Sequence, residues 1–456
     1  MVIFPKNKIM TKLKQLFFLG FFTLSLGACS SDDTYQNVDD DLNSVLTEKI
    51  NELYGSVSPL ILPEDVDLVS IPSDPNNPLT VSKIILGRLL FHETGIGTDP
   101  MQPQGMKTYS CASCHHVDAG FQSGLRQGIG DGGVGFGFAG EGRVPSALYL
   151  PAELDVQPIR TPSALNSAFQ KVMLWNGQFG AKGPNEGTEA QWTVDTPKEV
   201  NNLGFEGLET QAIAGLGVHR LVINADEIIG SPYQILFDDA FSDVPLSDRY
   251  TKINAGLAIA AYERTLLSTE APFQRWLKGD DSAMTENQKE GALLFFGKAQ
   301  CFQCHSGPAL NDMKFHALGM NDLQGPEIVT EVDDATKKGR GGFTANPDDN
   351  YKFKTPQLYN LKDVTFYGHG GTFESVKSII EYKNNAISEN NEVPDEQLSD
   401  KFIPLNLTDS DINLLTLFLE EALYDSGLRR FIPDSLPTGN CFPNADTQSS
   451  SDLGCD

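Results

Sequence analysis

Four cysteines of this sequence fall into two groups of one form, Cys111-Ala112-Ser113-Cys114-His115 and Cys301-Phe302-Gln303-Cys304-His305. Two thiols at this spacing can bind zinc, cycle as a redox dithiol, or form thioethers to the vinyl groups on one edge of a porphyrin. Only the last use calls for a histidine directly after the second cysteine, where it lies under the iron as an axial ligand. Two copies in one chain point to two covalently bound c-type haems. Cys111, Cys114 and His115 hold one, and Cys301, Cys304 and His305 hold the other. Two of the remaining three cysteines, Cys441 and Cys455, lie in a Pro/Ser/Asp-rich tail and read as a disulfide closing a small loop.

The seventh cysteine belongs to a leader. Residues 1–28 carry Lys6, Lys8, Lys12 and Lys14, no acid, and the apolar run Leu16-Phe17-Phe18-Leu19-Gly20-Phe21-Phe22. A basic segment followed by a short apolar one is a secretory signal rather than a membrane span. It ends in Leu26-Gly27-Ala28-Cys29, an arrangement similar to the lipobox of bacterial lipoproteins. The expectation is cleavage before Cys29, lipid on that residue, and a periplasmic or outer-membrane location that includes surface display. Export also suits covalent haem attachment and a disulfide.

The 456 residues hold 34 Lys and Arg against 61 Asp and Glu, a net charge of −27. Loss of the leader removes four lysines and no acid and takes it to −31. Such acidity argues against nucleic acid or an anionic membrane surface as partner, because phosphate binding needs clustered cations. It suits a basic protein partner, and it also keeps a chain soluble. A hydrophobic fraction of 40% and the chain length allow more than one core.

Apolar spacing predicts helices over Leu42–Leu53, within Pro75–Glu93 with Thr80 as N-cap, and over Ala255–Ser268 and Thr285–Phe296. A further helix spans Leu407–Tyr424, capped by Thr408 or Asp409. Strand alternation is scarce. The glycine-rich stretch Gly128–Gly133 matches a dinucleotide-loop pattern without a strand before it or a helix after it, so it reads as a mobile loop near the first haem. The fold expected is mainly α, with two c-type cytochrome-like haem domains. The divisions are 1–28 signal peptide, 29–60 tether, 61–245 first haem domain, 246–432 second haem domain and 433–456 tail.

Further blocks carry a family resemblance. Asn77-Pro78-Leu79-Thr80 and Leu86–Phe91 precede the first haem motif. Arg160–Asn166, Leu174–Gly177, Leu208–Gln211 and Ala260–Leu266 lie between the two motifs, and Cys304–Pro308, Phe353–Asn360 and His369-Gly370-Gly371 follow. In this order the chain, from about Ile71 to Tyr424, resembles the bacterial dihaem cytochrome c peroxidases and the related MauG-type enzymes. The resemblance implies a peroxidatic haem on His115 where hydrogen peroxide binds. It also implies an electron-transfer haem on His305, fed by a small cytochrome or copper protein, with Trp175 between the haems as a relay or as packing. The alternatives are a MauG-type oxidase acting on a protein or organic substrate, and a dihaem electron carrier without turnover.

The sequence departs from the family at several positions. The resemblance implies a distal glutamine, matched by Gln211, and a glutamate ten residues on, where Leu221 stands. Splitting peroxide needs a group that moves a proton between its oxygens. His219 is the candidate, assisted by Arg220 or Gln211, with Glu209 as rival acid. No histidine lies between His116 and His219, so the first iron is expected to be open. The family's methionine on the second haem is absent, and Tyr382, Lys383 and Met320 are the candidates for that place, with Met313 as a local alternative. Calcium, which family members hold between the domains, is doubtful because Arg160 stands at the asparagine position.

Overall fold

The computed structural model describes residues 38–455, with side chains from residue 42 onward. The signal peptide and Cys29 lie outside the described residues. The helices that matter here start with α1 (Val38–Tyr54), α2 (Val81–His92), α3 (Gly207–Val218) and α4 (Lys252–Glu263). They continue with α5 (Glu286–Phe295), α6 (Val376–Asn385), α7 (Asp409–Leu417) and α8 (Thr447–Leu453). Strands are confined to two antiparallel pairs among the described residues, β1 (Gly133–Val134) with β2 (Val144–Pro145) and β3 (Phe315–His316) with β4 (Phe353–Lys354). The fold is mainly α.

Local chemistry sets the helix starts. The Thr80 hydroxyl accepts from Lys83 N at 3.2 Å, and Thr285 and Thr408 form capping boxes with Gln288 and Asp411. Close approach sets how the helices pack. A Cβ on Gly87 of α2 would lie 1.9 Å from the Ala258 carbonyl oxygen of α4, and one on Gly256 of α4 would meet the Ile213 backbone of α3 at 2.8 Å. Glycine at both crossings brings α2, α3 and α4 into one bundle.

Two large apolar cores result, with a small cluster of Ile129, Tyr149 and Leu154 beside them. The first gathers Leu86, Leu90 and Phe91 of α2, Ile213 and Leu216 of α3, and Leu257 to Leu266 around α4. The second gathers Leu46, Ile50 and Ile71 from before α2 with Leu267, Phe273, Phe295, Val376 and Phe418. One crossing between them follows α4, with Leu266 in the first core and Leu267 in the second, because α4 packs on α2 and α3. The helix expected over Leu42–Leu53 is present as α1, and its Leu46 and Ile50 are fully buried in the second core, which packs this part of the stretch read as a tether. The tail is fastened to the first lobe. Thr438 donates to Glu93, Ser110 and Ser113 beside the first haem motif donate to Pro443 O, and the Cys441–Cys455 disulfide closes the segment.

The glycine-rich segment is also not a free loop. Arg143, buried, donates to Ile129 O and Gly130 O at 2.7 Å and pairs with Asp446 of the tail. These bonds pin 128–136, largely buried, beside the first motif, while Phe138 and Val144 stay exposed.

Candidate haem sites

The two Cys-x-x-Cys-His motifs adopt the same local structure. Each begins as a single 3-10 turn, and the histidine N–H returns to the carbonyl of the first cysteine, at 3.1 Å for His115 and 2.9 Å for His305. His115 Nδ1 lies 3.2 Å from Phe121 O, and His305 Nδ1 lies 3.0 Å from Leu310 O. A carbonyl only accepts, so both rings carry their proton on Nδ1 and leave the Nε2 lone pair for a metal. Burial holds both imidazoles down to about 4, so both are neutral at pH 7. The thiols of Cys111, Cys114 and Cys301 are pushed by burial up to about 12, which disfavours a redox dithiol or a thiolate–zinc site. Each motif opens onto a cavity. The donor sets thus fit two c-type haems.

The first cavity is lined by the motif and Phe91, and by Gln211, Ala212, Gly215 and His219 from α3 and its end. Two expected groups, Gln211 and His219, are therefore brought together above His115. His219 Nδ1 lies 3.1 and 3.0 Å from the two Asp155 oxygens. Burial lowers the His219 pKa, but the charge and hydrogen bond of Asp155 outweigh it, and the net shift is upward. The Asp155 bond fixes the proton on Nδ1 and leaves Nε2 to take one.

Arg220 does not join them. Its backbone is left-handed (φ 57°), and its guanidinium binds Asp131 and the Glu153 carbonyl away from the cavity lining. Glu209 is not a free acid either. It is fully buried, with Arg264 at 2.7 and 2.9 Å and Asn77 at 3.3 Å. Asp155 and Glu263 were missed by the sequence reading. Glu263 is buried in the cavity wall, its Oε2 has no partner, and burial, then the Glu209 charge, raises its carboxyl to about 8. It is a protonated acid at neutral pH.

The second cavity, about 370 Å³, is larger. His305, Lys383, Met320, Trp175 and His369 all line it. Tyr382 does not. Its hydroxyl donates to Leu318 O, and its ring packs between Phe373 and Phe402. Trp175 donates from Nε1 to Arg160 O at 2.8 Å and meets the His369 ring edge-on at 6.4 Å. Arg160 is almost wholly buried. It donates to Leu125 O at 2.9 Å and Ser123 O at 3.4 Å, and its own N–H donates to His369 O at 3.0 Å. A guanidinium thus holds the carbonyls at the place where the resemblance put a calcium ligand. One other set of donors converges among the described residues, Cys304, Asp312 and His316. A thioether on Cys304 removes its strongest ligand.

Two haem-binding motifs, each with a neutral histidine and its own cavity, define a dihaem c-type protein. Residues 81–282 match the family model described as di-haem cytochrome c peroxidase. The chain is 30% identical over 350 residues to the methylamine utilization protein MauG of Methylophilus methylotrophus, covering 75% of this chain and 84% of that one. It is 30% identical over 320 residues to MauG of Methylorubrum extorquens (69% and 71%) and 27% identical over 328 residues to the cytochrome c peroxidase Ccp of Escherichia coli (71% and 57%). A solved MauG-like protein associated with microbial copper homeostasis shares the fold, with a TM-score of 0.53 at 22% identity over 80% of this chain and 95% of that one. The chain belongs to the di-haem cytochrome c peroxidase and MauG family.

Proposed function

We propose that this protein reduces hydrogen peroxide to water at the His115 site, with electrons from a small cytochrome or copper protein entering at the His305 site. The observation that carries the reading is the His219–Asp155 pair beside Gln211 in the first cavity. When bound, haem supplies the iron that takes the oxidant and passes electrons. The chain supplies proton handling. His219 Nε2 takes a proton from one peroxide oxygen and returns it to the departing one, while Asp155 keeps the ring oriented. The Gln211 amide can hold the incoming oxygen by hydrogen bond. Two electrons and two protons convert one peroxide into two waters. Trp175, in the wall of the second cavity, is the candidate electron relay.

His219→Ala should lower kcat for peroxide by about 10²–10⁴-fold, with both haems still attached by mass. Unchanged turnover with a reduced donor refutes the assignment. A second reading, oxidation of a protein or organic substrate, is favoured by the two relatives named MauG. Absence of peroxide turnover with every cytochrome or copper donor, together with peroxide-dependent oxidation of another substrate, selects it. Turnover of neither kind leaves an electron carrier.

The leader and Cys29 support export and lipid anchoring. A palmitate analogue fed to cells should label the wild type and not Cys29→Ser; an unlabelled wild type refutes the anchor.

A further inference from the structure

One helix in each lobe plays the same part. In the first lobe a tight turn, closed by the Met173–Phe179 bridge, comes before α3. In the second lobe a matching turn, closed by the Tyr367–Phe373 bridge, comes before α6. From α3, residues Gln211, Ala212 and Gly215 line the first cavity; from α6, Ile379, Ile380 and Lys383 line the second. The spacing is identical, so Gly215 and Lys383 are equivalent positions. A Cβ at Gly215 would meet nothing closer than Gln211 Nε2 at 3.5 Å. In one lobe the position is open, and in the other it carries a long side chain ending in nitrogen.

The surroundings of that nitrogen are unusual for a lysine. Lys383 continues the apolar stripe of Val376, Ile379 and Ile380. Among the described residues no carboxylate pairs with it, and its one polar-type contact is the face of the Phe402 ring at 5.5 Å. An ammonium buried without a counter-ion is costly, and burial pulls its pKa down. A neutral amine, in contrast, has a lone pair to give to a metal.

We propose that Lys383, through neutral Nζ, is the second axial ligand of the haem held by Cys301, Cys304 and His305. The second haem is thereby closed, and the first, at Gly215, is open. On coordination the lysine gives up its proton to solvent and the lone pair forms the bond to iron. The proposal rests on the dihaem reading but not on peroxide as substrate. Among the other donors near this cavity, His316 Nδ1 is bonded to Ser399 and the Tyr382 hydroxyl to Leu318 O. The His369 ring lies flat on Phe353 at 3.7 Å, with Nε2 3.4 Å from Asp322 and without a hydrogen-bond partner. Met320 and His369 are the competitors, and His369→Ala, like Met320→Leu, should leave the wild-type low-spin signal unchanged; its loss in His369→Ala overturns the proposal.

The test uses the full-length, haem-loaded protein, with haem counted by mass and the oxidised state read by EPR and by visible and near-infrared spectra. The wild type should show one low-spin haem without the methionine-to-iron charge-transfer band at the red end of the spectrum. Lys383→Ala should turn that signal high-spin with both haem masses intact. Lys383→Met should create the methionine band and raise the potential of that haem, and Met320→Leu should leave the wild-type signal unchanged. A methionine band in the wild type, loss of the low-spin signal in Met320→Leu, or a low-spin signal that survives Lys383→Ala overturns the proposal. If Lys383→Ala fails to retain both haems, the wild-type, Lys383→Met and Met320→Leu spectra still decide it. A missing second haem mass in the wild type overturns the dihaem reading itself. Absent peroxide turnover with the lysine pattern intact overturns only the substrate.

Discussion

At the scale of single residues, the proposed chemistry of the first site depends on what Asp155 does to His219. A general base must be neutral to act, so turnover should rise with pH through a His219 pKa that lies above the ordinary 6.5. The opposing contributions are burial and the Arg220 charge, which lower it, and Asp155, which raises it more. Asp155→Asn removes the charge that wins, so the acid limb of the profile of kcat/KM for peroxide should move to lower pH. The plateau should fall by up to about a hundredfold, because the ring loses the partner that aims it. A limb that stays in place would show that His219 is not the group being read. Glu263 is a second buried acid in the same wall, and its contribution to the alkaline limb can be read from the same profiles.

At the scale of elements, what was legible in the sequence was local. Thr80, Thr285 and Thr408 start helices through bonds to residues three positions on, and the haem motifs are contained within five residues. What was not legible spans the chain. Asp155 meets His219 across 64 positions, Thr438 meets Glu93 across 345, and Arg220 and Tyr382 turn away from the cavities that their neighbours line. Adjacent residues on a helix point about 100° apart, so sequence neighbours such as Tyr382 and Lys383 face different surroundings. Helix packing gives a sharper case. Gly87 is an ordinary helix residue by pattern, yet a methyl there would collide with a carbonyl oxygen of α4. Gly87→Ala should destabilise the protein by about 1–3 kcal/mol, because the obstruction is backbone and cannot rotate aside. Since α3 packs on α4 through Gly256, the loss should also spread to the first cavity. Thermal unfolding checks the stability, and peroxide KM checks the cavity. An unchanged midpoint would mean that α2 and α4 are not held this close.

At the scale of the whole molecule, two lobes follow one plan with different endings. Asn166 and Asn360 are both left-handed, at φ 56° and 58°, and their N–H groups donate to Leu266 O and Leu423 O, just beyond α4 and α7 respectively. The same framework thus presents two haem motifs, one beneath His219 and Gly215 and one facing Lys383. In the proposed reaction, electrons enter the second lobe from a partner that meets a strongly acidic chain, at −27 for the full sequence. Long-range attraction to a basic donor is screened as the Debye length falls from roughly 30 Å at 0.01 M salt to roughly 3 Å at 1 M. The specificity constant for a reduced basic cytochrome should therefore drop steeply across that range, whereas an acidic donor should be slow at low salt and gain as repulsion is screened. Peroxide is uncharged, so its KM should stay constant in the same series, which separates docking from general salt damage to the enzyme. A basic donor whose rate ignores ionic strength would mean that the acidity serves solubility and that the docking face is locally neutral.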